Sequence, residues 1–230
     1  MLKKTTLIPL LLLIPALFYS PILFSQGIFD PNPERFQNEI DQFKKWDSKN
    51  NVPKNSILFV GSSSIRFWKT AKDFPDLPVI NRGFGGAHIP DILYYFDTVV
   101  APYNPSKIIF YCGDNDITAG KTPVRVASDF QQFLQKVHQS LPDTRVIYLA
   151  AKPSPARWIH YERMAELNKL VDSICKHDSL CDFTDTATPL LDASGHPDTL
   201  LFLDDGIHLN DKGYQRWKEV LLRSGFINNK

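Results

Sequence analysis

The chain has 230 residues, 43% of them hydrophobic and 22% charged, with 26 Lys and Arg against 25 Asp and Glu for a formal net charge of +1. That length and composition suit one globular domain with a sizeable core. The balanced charge, without interleaved aromatic and basic residues, excludes the electrostatic footprint of a nucleic-acid binder.

In chain order, the first segment stands apart. Lys3 and Lys4 precede an apolar run from Leu7 to about Phe24, and "FSQG" comes next. A basic start, an apolar middle and small or polar residues around Ser25 predict a signal peptide over 1–25 and an exported product, periplasmic or secreted. An uncleaved membrane anchor is the alternative. The run nears spanning length, but Pro9, Pro15 and Pro21 interrupt it and weaken a long helix. No later apolar run is long enough to span a bilayer. Residues 26–230 then form a single domain.

A helix over about 33–48 opens that domain, with Pro33 at its start and Phe36, Ile40, Phe43 and Trp46 on one stripe to pack against the rest of the domain. Five short apolar runs come next: "SILFV", "LPVIN", "SKIIFYCG", "TRVIYLAA" and a weaker "LCDFTD". Continuous apolar runs of this length fit strands buried on both faces. Helical segments separate them: "IPDILYYFDTVV", "TPVRVASDFQQFLQKVHQSL" and "HYERMAELNKLVDSICKH", with "NDKGYQRWKEVLLRSG" closing the chain. Alternating strands and helices predict a three-layer α/β/α sandwich on a mainly parallel, flavodoxin-like sheet of about five strands. Cys112 lies in a strand-like run and reads as a buried thiol. Cys175 and Cys181 flank a polar turn and are either a short-loop disulfide or two separate thiols.

Ligands of open parallel sheets bind at the carboxyl ends of the strands, so the residues just after each apolar run carry the functional information. Gly61-Ser62-Ser63-Ser64 follows the first strand, "NRGFGGAH" (81–88) the second and "GDND" (113–116) the third, while "DDGIHLN" (204–210) precedes the last helix. Each alone reads as a turn or cap. The glycines match neither the dinucleotide fingerprint nor a P-loop.

Together, and in this order, the four segments resemble the SGNH hydrolase superfamily, the GDSL-type esterases, lipases and acylhydrolases, over about Ile57 to Phe226. The resemblance puts Ser63 at the nucleophile position, with Ser62 where the family has aspartate. It puts Gly86 and Asn115 at oxyanion positions, and Asp205 and His208 in the Asp-x-x-His motif, selecting Asp205 over Asp204.

The chemistry is consistent with those roles. A serine hydroxyl needs an adjacent base. His208 would take the Ser63 proton and pass it to the leaving alcohol, while Asp205 holds the imidazole. The N–H groups of Ser63 and Gly86 and the Asn115 amide would meet the oxyanion. The function this implies is an exported serine esterase for carboxylic esters of short acyl or acetyl groups. Its substrate is a small-molecule or glycan ester, and it needs no metal or organic cofactor. A lipase or phospholipid-directed acylhydrolase is the alternative, as is a noncatalytic binding module on the same fold, suggested by the missing aspartate. A Ser62 hydroxyl hydrogen bond is expected to hold the loop in its place. Asp114 and Asp116 read as loop-shaping groups. His88 is either a cleft residue or a surface loop histidine. Arg66, Trp68, Arg82 and the stretch Lys152 to Trp158 either shape the pocket or pack.

Overall fold

The five apolar runs all form strands, and each has side chains buried on both faces of one sheet. The structure, a computed structural model, describes residues 30–227. The segment read as a signal peptide lies outside them. After a 3-10 turn at Pro33–Phe36, the elements in chain order are α1 (Gln37–Asp47), β1 (Ile57–Gly61), α2 (Ser63–Arg66), α3 (Thr70–Asp73), β2 (Val79–Gly83), α4 (Ile89–Tyr94) and α5 (Phe96–Val99). They continue with β3 (Lys107–Tyr111), α6 (Asp114–Thr118), α7 (Pro123–Ser140), β4 (Arg145–Leu149), α8 (Tyr161–Lys176), β5 (Cys181–Thr184) and α9 (Asp211–Arg223). The strands pair in the order β2-β1-β3-β4-β5, all parallel. This is the doubly wound order in which the topological switch lies between β1 and β3.

Alternation along each strand builds two cores. Leu58, Val60, Ile108, Phe110, Val146 and Tyr148 face the layer of α1, α4, α5, α7 and α8. Phe59, Ile109, Tyr111, Ile147 and Leu149 face the opposite layer, where Trp68, Tyr214, Trp217 and Leu221 pack. The α7 stripe Val126, Phe130, Phe133, Leu134 and Val137 is wholly buried. The predicted stripe of the first helix holds only in part. Phe36 and Ile40 are buried and Phe43 packs against the core, but Trp46 is 53% exposed. It instead lines a 740 Å³ groove with Glu39, Arg66 and Phe67. Cys175 and Cys181, with Cα atoms 4.7 Å apart, are joined as a disulfide between α8 and β5, and Cys112 is a buried thiol. Among the described residues, no helix is long and apolar enough to cross a membrane.

The register decides where the site lies. Gly61 at the end of β1 sits beside Gly83 of β2 and Tyr111 of β3, so the loops after all three strands leave one sheet edge together.

Candidate active site

The turn after β1 is set by backbone. Gly61 has φ +151°, and a Cβ there would lie 1.9 Å from the Tyr111 carbonyl oxygen. Only glycine fits. The Ser62 N–H donates to that same carbonyl at 3.0 Å, and the Ser62 carbonyl accepts from Ile65 and Arg66 as α2 begins. The Ser62 hydroxyl is buried and has no hydrogen-bond partner among the described residues. The expected hydroxyl bond is therefore absent, and main-chain bonds hold the turn instead. Ser63 becomes the first residue of α2, half-buried, with its N–H among those that the helix start leaves without an intrahelical acceptor. Asn81 secures the turn from β2, its amide donating to the carbonyls of Ile65 (2.7 Å) and Trp68 (3.1 Å). From α9, the Tyr214 hydroxyl donates to the Ser64 carbonyl at 2.9 Å.

His208 reaches Ser63 from the other end of the chain, with Nε2 2.9 Å from the Ser63 Oγ. Its Nδ1 is 2.5 Å from the Asp205 carboxylate, whose other oxygen accepts the N–H groups of Ile207 (2.8 Å) and His208 (2.9 Å). Partial burial pushes the Asp205 carboxyl up, but these bonds from His208 and Ile207 outweigh it and lower its pKa to about 2. An ionised Asp205 requires the imidazole proton on Nδ1, which leaves Nε2 to accept from the serine. Phe67 stands edge-on to the imidazole, with ring centroids 4.8 Å apart. Asp204 is exposed, and it is Asp205 that the loop turns toward His208.

The second and third loops meet beside this chain. Phe84 N–H donates to the Gly61 carbonyl at 3.0 Å, tying the β2 loop to the β1 turn. Gly86 has φ +75° and open space where a Cβ would stand. Asn115, at the start of α6, donates one amide hydrogen to the Ala87 carbonyl at 3.0 Å.

Several residues left open by the sequence have structural places. Trp68 is buried, donating its indole N–H to Asp73 at 2.8 Å. Arg82 is buried against Tyr103 and pairs with Asp47 of α1. His88 is not a surface histidine. It is buried, caps α4 and lies 3.7 Å from Asp116. Burial lowers the His88 pKa and raises that of Asp116 to about 6. Asp30, His88 and Asp116 are the one group among the described residues whose donor atoms gather closely enough to suit a cation. The Lys121 ammonium already supplies that charge, 2.8 Å from Asp116 and paired with Asp30.

The stretch Lys152 to Trp158 is the least legible in the sequence. Lys152 is fully buried, and its ammonium donates to the Ser64 hydroxyl (3.0 Å), the Tyr111 hydroxyl (3.2 Å) and Asp114 (3.3 Å). Arg157 binds Asp114 and Asn115, and Ala156 N–H donates to the Gly206 carbonyl at 3.0 Å. The segment thus links the Asn115 loop to the Asp205–His208 loop. The signal available in the sequence is its position, directly after the fourth strand at the ligand-bearing edge.

A family model for the GDSL-like Lipase/Acylhydrolase family matches residues 64–216, taking in Gly86, Asn115, Asp205 and His208 and beginning one residue after Ser63. Among solved structures, the chain is similar to a Streptococcus pneumonia protein provisionally described as a platelet activating factor, at 21% identity and TM-score 0.74, over 83% of this chain and 92% of the other. It is similar to a GDSL-like lipase from Bacteroides thetaiotaomicron at 17% identity and TM-score 0.68, over 84% and 96%. It is also similar to a catalytic mutant of an acetylxylan esterase from Geobacillus stearothermophilus at 13% identity and TM-score 0.62, over 75% and 94%. At these identities the likeness is one of fold. No curated protein matches the sequence. With most of its length matched by the family model and its parallel five-stranded sheet shared with these structures, the chain belongs to the GDSL-like lipase/acylhydrolase family of the SGNH hydrolase superfamily.

Proposed function

We propose that the protein is an exported serine esterase that hydrolyses carboxylic esters of short acyl or acetyl groups. The observation that carries this is the continuous hydrogen-bonded chain from Ser63 through His208 to Asp205. In the first half-reaction, Ser63 Oγ attacks the ester carbonyl as His208 Nε2 takes its proton. The tetrahedral oxyanion is met by the N–H groups of Ser63 and Gly86 and the free amide hydrogen of Asn115. Collapse expels the alcohol, protonated by His208, and leaves an acyl-serine. Water, deprotonated by His208, then attacks the acyl-serine to release the acid and restore Ser63. Asp205 holds the ring and balances the imidazolium throughout. The preference for short acyl groups rests on the short connections after β1, β2 and β3. Export rests on the character of residues 1–25.

The exposed Phe67, Leu200 and Leu203, which line a 530 Å³ groove, favour the second reading, an acylhydrolase for longer chains. The test is hydrolysis of p-nitrophenyl esters from acetyl to palmitoyl by wild type and Ser63→Ala. Ser63→Ala should lose about 10⁴-fold or more in kcat, and wild type should be fastest on acetate. Equal rates for the two proteins would remove the serine from the mechanism, and a maximum at long chains would favour the second reading.

A further inference from the structure

We infer that Arg157 is a positioning residue for the oxyanion site, acting through the carboxamide of Asn115. The inference rests on the proposed role of Asn115 as an oxyanion donor.

A carboxamide has two faces of opposite use, and an oxyanion needs the nitrogen. An asparagine turned by half a rotation would present its oxygen to the developing negative charge and repel it. Two contacts fix the orientation here. Arg157 Nη1 donates to Asn115 Oδ1 at 3.0 Å, and Asn115 Nδ2 donates to the Ala87 carbonyl at 3.0 Å. A guanidinium only donates and a backbone carbonyl only accepts, so both bonds would be lost in the flipped amide. One hydrogen of Nδ2 remains for the oxyanion, since Ala87 takes the other.

Arg157 is itself anchored. The same Nη1 donates to Asp114 Oδ2 at 3.1 Å, and Asp114 is paired with the buried Lys152. The preceding residue, Ala156, is bonded to Gly206 in the loop of Asp205 and His208. Arg157 thereby couples the amide orientation to the loop that carries the base. The guanidinium charge beside Oδ1 also polarises the amide, strengthening its remaining N–H as a donor.

The test is steady-state hydrolysis of p-nitrophenyl acetate by wild type, Asn115→Ala, Arg157→Ala, Arg157→Lys and the double variant Asn115→Ala/Arg157→Ala, with folding checked by thermal melts. Arg157→Ala should lower kcat by roughly tenfold to a hundredfold, somewhat less than the loss of a whole oxyanion donor, with KM changed less than about threefold. Arg157→Lys should recover part of the loss, as should millimolar ethylguanidine added to Arg157→Ala. The double variant should be no slower than Asn115→Ala, because the arginine has nothing left to orient. If Asn115→Ala is slow while Arg157→Ala keeps the wild-type kcat, or if the two losses multiply in the double variant, the positioning role is overturned. If Asn115→Ala itself keeps the wild-type kcat, the oxyanion assignment of Asn115 falls first and takes this role with it.

Discussion

Gly86 and Asn115 approach one another across Ala87, yet the two are braced in opposite ways. The Gly86 loop is held from outside by α1. Glu39 accepts from the Gly85 N–H at 3.2 Å and pairs with Arg66, and Asp47 pairs with Arg82. A residue of the preceding turn, Arg35, reaches Asp91 at 2.5 Å. Asn115 is held from inside, by Arg157 and through Asp114 by a lysine with 1% of its side chain exposed. Glu39 and Arg66 keep 33% and 47% of their side chains in solvent. The Glu39–Arg66 pair of the outer brace therefore works in water, where ion pairs are weak and screened. The inner brace works in a low-dielectric interior, where a pair contributes little over an apolar substitute but a broken pair is costly. Both fix loop geometry, but they should fail differently.

The strongest way to break the contrast is Asp114→Ala. It leaves Lys152 buried without its carboxylate and should cost about 3–5 kcal/mol of stability in urea unfolding. Burial pushes the Asp114 carboxyl up, but Lys152 and Arg157 overcome that and hold it below the usual range, while burial lowers the Lys152 pKa. Adding Lys152→Met should return a large part of the loss. A cost for Asp114→Ala below about 1 kcal/mol would show the inner brace to be as weak as a surface pair.

Glu39→Ala probes the outer brace. It should lower kcat/KM by only about twofold to fivefold with little change in Tm, the scale of an exposed ion pair. Raising NaCl to about 1 M should produce much of the same loss in the wild type and leave the Arg157→Ala defect unchanged. Matching salt responses at the two sites would erase the distinction.

The smallest effect lies outside both braces. Asp205 has its pKa depressed to about 2 in the fold, against about 3.9 when unfolded. Its contribution to stability is present above about pH 4 and is lost as pH falls through about 2. Asp205→Asn should flatten that part of the stability profile. The side chain is partly exposed, so the change should be slight, and a steep acid-side loss that survives in Asp205→Asn would assign the titration to another carboxylate.

Legibility in the sequence depends on which interactions leave a local trace. Strands buried on both faces are continuous apolar runs, and a parallel sheet puts the loops after them at one edge, so position marks the segments 61–64, 81–88, 113–116 and 204–210, while the resemblance to the SGNH hydrolases selects Ser63, Gly86, Asn115 and His208 within them. Arg157, Lys152 and Glu39 leave no such trace. Each acts through a side chain that reaches a loop elsewhere in the chain, with no periodicity to mark the pairing, and Lys152 among prolines looks like a stiff connection. Trp46 shows the converse. It lies on the apolar stripe of α1 by spacing, but the helix ends one residue later at Asp47 and carries the ring past the edge of the core. At His88 the sequence misleads, because a histidine in a glycine-rich loop suggests solvent, whereas here it caps a buried helix start.

The turn after β1 also divides freedom between two neighbouring positions. At Gly61, the carbonyl of the adjacent strand occupies the space of any side chain, so drift at that position is closed. At Ser62, the residue's own hydrogen bonds in the turn come from its backbone, and its hydroxyl makes none among the described residues. A substitution at 62 by a residue small enough for this buried site should therefore leave Ser63 in place. The turn thus separates atoms that carry its geometry, the main chain of Gly61 and Ser62, from a hydroxyl that does not.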